Sequence, residues 1–244
     1  MGFFGASGTK IDPFFDFYRF RYLYPRSTGQ AGTGGLGSID TGGALCNSGT
    51  STSGYGRVTI TSSITTHSPF SGSAIDFDLP MQFGLTAAFS LANTNCAARF
   101  IVGGNAGVPA TSDNNALSAR GFGVEFVFQN AGIEARLFCH DGTTYSTSAY
   151  VAGVATTGGG LGHYLFGSDG LGNIFFDYTN AGSNAFTSSN NFIAKPSRAL
   201  TLTGGPTGAS GGNGSFDIAA VNSSASAPTA TCNLRTFYQV MLLG

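Results

Sequence analysis

The residues able to do chemistry are few and scattered. Only two Glu occur, Glu125 and Glu134, with ten Asp, three His (His67, His140, His163) and four Cys (Cys46, Cys96, Cys139, Cys232). Glycoside hydrolysis needs a pair of carboxyl groups flanking the bond. Glu125 is followed by Phe-Val-Phe-Gln rather than by further acids, and Glu134 by Ala-Arg. A hydrolytic pair is therefore not expected. No Gly-x-Ser-x-Gly elbow is present. The histidines are not spaced two or four residues apart. Cys139 and His140 are strand neighbours and would point to opposite faces. The cysteines lack Cys-x-x-Cys spacing and read as buried thiols, with one or two disulfides as the other reading. Gly32-Thr-Gly-Gly-Leu-Gly37 matches the dinucleotide fingerprint in letters alone, with no strand before it, no helix after it and no acidic residue about 20 positions on. The expectation is a protein without catalytic residues and without a cofactor.

Two sets of residues could bind rather than react. Asp76 and Asp78, in Ile-Asp-Phe-Asp-Leu, would share one face of a strand over 74–79. Adjacent carboxylates repel unless a cation lies between them, so the pair is a weak candidate for Ca²⁺ and otherwise a solvated face. Tyr145, Tyr150 and Tyr164 are candidates for stacking against a sugar, since each has an apolar ring and a polar tip and Trp is absent. Asp169 and Asn173 read as turn formers.

The elements that must position these residues are strands. Gly accounts for 38 of 244 residues, charged residues for only 9%, and Phe for 22. Lys occurs twice. This inventory disfavours helices and suits strands and turns. A net charge of −1 excludes the basic footprint of a nucleic-acid binder, and no run of 18 apolar residues suggests a membrane helix. No signal peptide is expected at the start.

Short apolar-alternating segments run from 57 to 243, one of them expected as a single strand over 143–151, separated by turn clusters. In Gly121–Gln129 and Gly132–His140, Val124, Phe126, Phe128, Ile133, Ala135, Leu137 and Cys139 share one face, while Glu134, Arg136 and His140 face out. Ser168–Ile174 reads as a turn between two apolar strands. Residues 27–56, rich in Gly, Ser and Thr, read as a linker or surface loop. Ahead of them, Phe14, Phe15, Phe17, Tyr18, Phe20, Tyr22 and Tyr24 put aromatics on both faces of an extended segment. That is the expected makeup of an arm buried against a neighbouring subunit, or of an ordinary buried strand.

Residues 57–243 resemble the concanavalin A-like, or laminin G-like, jelly roll. The resemblance rests on Arg99-Phe-Ile-Val-Gly-Gly104, the 121–139 hairpin, His163-Tyr-Leu-Phe-Gly-Ser-Asp-Gly-Leu-Gly-Asn-Ile-Phe-Phe-Asp177 and the closing strand 233–243. Gly162 stands where the family often has Trp, and Tyr178 where it often has Gly. The implied architecture is an all-β antiparallel jelly-roll sandwich at 57–244, preceded by an arm and linker at 1–56. Domains of this kind occur in phage and virus particles, and glycan binding is the fold's usual non-enzymatic use. Two roles follow as expectations. One is a virion structural protein, a capsid decoration or tail-associated subunit assembling with itself and other particle proteins. The other is a lectin-like module for attachment.

Overall fold

A computed structural model describes residues 27–31, 36–40, 43–49, 55–61, 75–90, 96–103, 117–129, 132–155, 161–180, 198–209, 215–222 and 233–243. The aromatic segment Phe14–Tyr24, His67 and Cys232 lie outside the described residues. The described residues form fifteen strands: β1 (Ser27–Ala31), β2 (Leu36–Asp40), β3 (Gly43–Asn47), β4 (Tyr55–Thr61), β5 (Met81–Ser90), β6 (Cys96–Gly103), β7 (Gly121–Gln129), β8 (Gly132–His140), β9 (Tyr145–Thr147), β10 (Val151–Ala155), β11 (Leu161–Ser168), β12 (Ile174–Asn180), β13 (Leu200–Leu202), β14 (Ser215–Asn222) and β15 (Asn233–Leu243).

They make two antiparallel sheets. One runs β1-β4-β14-β6-β7-β8-β10, with β9 also on β8; the other runs β13-β12-β11-β5-β15-β3-β2. Several pairings join strands far apart in sequence, among them β4-β14, β14-β6 and β5-β15, as a jelly roll requires. Between the sheets lies an aromatic core. Phe83 of β5 stacks on Phe166 of β11 and on Phe216 of β14, with centroids 5.1 and 5.3 Å apart. Phe89 stacks on Phe126 at 4.5 Å. Large rings let a two-sheet sandwich exclude water with few residues per strand, each ring burying about 150–250 Å².

The 121–140 hairpin keeps its expected parity. Phe122 pairs with Cys139, Val124 with Leu137 and Phe126 with Ala135, and all six are buried. Asp169 builds the Ser168–Ile174 turn. Its Oδ1 accepts from the N–H groups of Leu171 (2.8 Å) and Asn173 (3.1 Å), and its Oδ2 accepts from the Asn173 amide (2.6 Å).

Three expectations need correction. Residues 27–56 are not simply a linker: β1 pairs with β4, β2 with β3, and β3 with β15, so both sheets draw strands from this region. Their Gly, Ser and Thr residues lack the alternation that marks a strand in sequence. Residues 74–79 are not a strand. Asp76 makes one bridge with Ala209, and the chain then turns. The segment expected as one strand over 143–151 is divided into β9, a bend and β10.

Candidate functional site

The outer face of the eight-stranded sheet carries an unusual line of charge. Register places Arg57 (β4), Ala219 (β14), Arg99 (β6), Glu125 (β7) and Arg136 (β8) side by side across five strands. Each occupies the strand parity opposite to the aromatic core. Even so, Arg99 is 0% exposed and Glu125 1%. A buried charge is tolerable only when it is paired and hydrogen-bonded, and both carboxylate oxygens are engaged. Glu125 Oε2 accepts from Arg99 Nε at 2.5 Å. Glu125 Oε1 accepts from Arg136 Nε at 2.8 Å, lies 2.7 Å from Arg136 Nη2, and also receives the Tyr150 hydroxyl at 3.4 Å. Further along the face, Arg57 Nε stands 3.9 Å from Asp217 Oδ1.

Burial alone would raise the Glu125 carboxyl. The charge of Arg99 and then that of Arg136, with the hydrogen bonds both donate, outweigh burial and hold it below the usual carboxylate range. A carboxylate kept ionised, with both oxygens occupied, is no general acid. The row is a fixed electrostatic scaffold rather than a proton-transfer pair.

At the sheet's edge the scaffold becomes accessible. The Arg136 guanidinium lies over the Tyr150 ring, 4.9 Å from its centroid. One residue pair along β8, the Phe138 ring stacks on Tyr145 with centroids 6.4 Å apart. Gly123 of β7 makes room for that ring, because a Cβ there would lie 2.5 Å from Phe138 Cζ. Tyr145 and Tyr150 are both half-buried. The bend between them is pinned to β8: Ser148 Oγ accepts the Leu137 N–H, and the Ser148 N–H donates to the Leu137 carbonyl, each at 2.9 Å. On the other side of Tyr145, Asp141 Oδ1 accepts from the N–H groups of Thr143 (2.6 Å) and Thr144 (2.7 Å). Those two bonds hold its carboxyl below the usual range despite some desolvation.

The structure thus brings two of the three tyrosines singled out from sequence to one edge. Tyr164 is the exception. It is 1% exposed, in the aromatic core between Phe89, Phe126 and Phe176. A sugar cannot reach it, because Tyr164 shares the inward parity of Phe166. Asp76 and Asp78 are exposed and shape turns: Asp76 Oδ1 accepts the Asp78 N–H (3.1 Å), and Asp78 Oδ1 accepts the Gly208 N–H (2.8 Å). Among the described residues no group of three or more His, Cys, Asp or Glu could hold a metal ion. Cys139 faces the core and the half-buried His140 the opposite side. His163 lies on β11 opposite Thr86 and Thr179.

Composition and motif did not single out the Arg99–Glu125–Arg136 row. Its one signal is a charge at alternate positions inside otherwise apolar strands, as in Val-Glu-Phe and Ala-Arg-Phe. Such residues are seldom fully buried unless paired.

No protein-family model matches the sequence, and no curated protein matches it. Solved structures do match in fold. The Emp47p carbohydrate recognition domain is similar with a TM-score of 0.55 and 10% identity, covering 89% of this chain and 88% of that one. The VIP36 exoplasmic/lumenal domain, in its Ca²⁺/Man3GlcNAc-bound form, is similar with a TM-score of 0.52 and 8% identity, covering 88% and 85%. The botulinum neurotoxin serotype C1 binding domain is matched with a TM-score of 0.48 and 8% identity over 99% of this chain, which spans 48% of that domain. The described chain is an all-β, antiparallel sandwich with the concanavalin A-like jelly-roll fold.

Proposed function

We propose that the chain is a carbohydrate-binding module and that saccharides dock on the edge formed by Tyr145, Tyr150 and Arg136. The observation that carries this reading is the placement of the two half-buried tyrosines beside β8 on the side away from β7, with a guanidinium fixed beside one ring. Rings of this kind offer an apolar plane to the C–H face of a sugar. Arg136 and the Thr and Ser residues of 143–148 supply hydrogen-bonding groups for its hydroxyls. Because Glu125 holds Arg136 in place, little side-chain entropy is lost on binding. The similarity in fold to a carbohydrate recognition domain supports the same reading. The particle-protein role has no comparable support, since its arm lies outside the described residues.

A glycan array followed by titration calorimetry on the full chain tests this. Tyr150→Ala and Tyr145→Ala should each weaken binding about tenfold or more, equivalent to ~1.4 kcal/mol. Tyr150→Phe, which keeps the ring, should retain most of it. Absence of binding to any arrayed glycan at millimolar concentration would refute the assignment.

A further inference from the structure

Tyr145 and Tyr150 do not form a single patch. Tyr150 packs against an apolar cluster that includes Ala97 and Val127, Tyr145 against a separate one made by Ile101, Leu117 and Phe138. The charged row runs between the two clusters. Along β6, Ala97 and Ile101 stand on either side of Arg99, and on β8 Phe138 comes two residues after Arg136. Each tyrosine is therefore a platform of its own, with Arg136 between them.

Strand register gives the spacing. Tyr145 pairs with His140, while Val151, which follows Tyr150, pairs with Ala135. Five residues of β8 separate those two partners, about 17 Å at the rise of an antiparallel strand. The side chains lean toward each other, Tyr145 onto Phe138 and Tyr150 onto Arg136. Their rings thus rest on positions two residues apart, about 7 Å along β8.

The path from one ring to the other is low and fixed. No residue of 146–149, Ser-Thr-Ser-Ala, is larger than Thr. Ser148 turns its hydroxyl away from the path, accepting the Leu137 N–H (2.9 Å) and donating to the Ala149 carbonyl (2.7 Å). Arg136 responds to both platforms. Burial works against its charge, but Glu125, Tyr150 and Tyr145 favour the charged form and prevail. Two contacts held at a fixed separation reward a ligand long enough to make both, because the second contact is then intramolecular.

Resting on the saccharide reading above, we propose that the ligand is a linear oligosaccharide laid along β8. One unit sits on the Tyr145 ring, another on the Tyr150 ring, and Arg136 donates to hydroxyls between them. A single sugar unit meets one ring only and binds weakly.

Titration calorimetry of the full chain with β-1,4-linked glucose, mannose and N-acetylglucosamine oligomers, each of one to four units, tests this. In at least one series the affinity should rise about tenfold or more between one unit and three. That rise is read in the unaltered protein and depends on no variant folding. Tyr145→Ala and Tyr150→Ala should each abolish the gain with length, leaving the trimer bound no better than the single unit. Ser148→Ala keeps both rings but loosens the bend, so it should weaken the trimer several-fold and leave the single unit unchanged. Equal affinity for one and three units, still weakened by both tyrosine variants, would overturn the oligosaccharide inference and leave the saccharide site standing. A gain with length that survives Tyr145→Ala would overturn it too. So would the absence of binding in all three series, and a blank glycan array besides would remove the saccharide reading itself.

Discussion

The Arg99 guanidinium and the Glu125 carboxylate meet across β6 and β7 with both side chains shut away from solvent, on the sheet face opposite the aromatic core. Their strands are adjacent, so each charge finds the other only once the sheet has formed. Arg136 completes the group from the far side of β7.

Removing the shared carboxylate should therefore be costly. Glu125→Ala leaves Arg99 buried without its counter-ion, and a loss of about 3–5 kcal/mol in urea unfolding is expected. Replacing the pair by apolar residues, Arg99→Met with Glu125→Leu, should recover most of that loss, because Arg136 is less buried than its partners. A double variant no more stable than Glu125→Ala would show that the row does more than satisfy its own charges.

The same row sets an acid limit. The native Glu125 carboxyl lies below its ordinary value, so its contribution is complete above about pH 4.3 and fades as pH falls through the native value. Asp141 and Asp169 are shifted in the same direction, Asp141 by the Thr144 and Thr143 N–H groups and Asp169 by bonds that outweigh its desolvation. They remain in a Glu125→Gln variant. The urea midpoint of the unaltered protein should thus drop more between pH 6 and pH 3 than that of Glu125→Gln, and parallel curves would exclude the effect.

Tyr164 offers a test in the core. Its hydroxyl is buried with no hydrogen-bond partner among the described residues, and burial pushes its ionisation upward. Tyr164→Phe removes a desolvated polar group and nothing else, so stability should hold or rise by up to about 1 kcal/mol. Saccharide binding, if it resides at Tyr145 and Tyr150, should be unaffected by this change. Reduced binding in Tyr164→Phe would point away from the proposed edge.

Burial also governs the thiols. It pushes Cys46 up to about 12, against the backbone bonds that lower it, and Cys139 up to about 11. Thiolate is the reactive form, so neither should be labelled by a disulfide reagent at pH 8 in the native protein. Both should label promptly in denaturant, as read by peptide mass. Native labelling of Cys46 or Cys139 would mean that the core opens locally.

Several features of this protein can be read without coordinates. Alternation in 121–140 assigns the core face of both strands, because inward residues there are consistently apolar. Asp169-Gly-Leu-Gly-Asn173 announces its turn through side-chain bonds to backbone only two and four residues away. Scarce charge and abundant Phe point away from helices. All of these depend on neighbours in sequence or on bulk composition.

What only the tertiary structure decided depends on distant partners. β1 and β3 are strands because β4 and β15 supply their hydrogen bonds, and β2 because β3 does, not because Gly-, Ser- and Thr-rich segments prefer extension. Tyr164 looks no different from Tyr150 in sequence, yet one faces the core and the other caps an arginine. Outward parity does not reveal whether a charge meets water or another charge. For Arg99 and Glu125, 26 positions apart, strand order and register settled that.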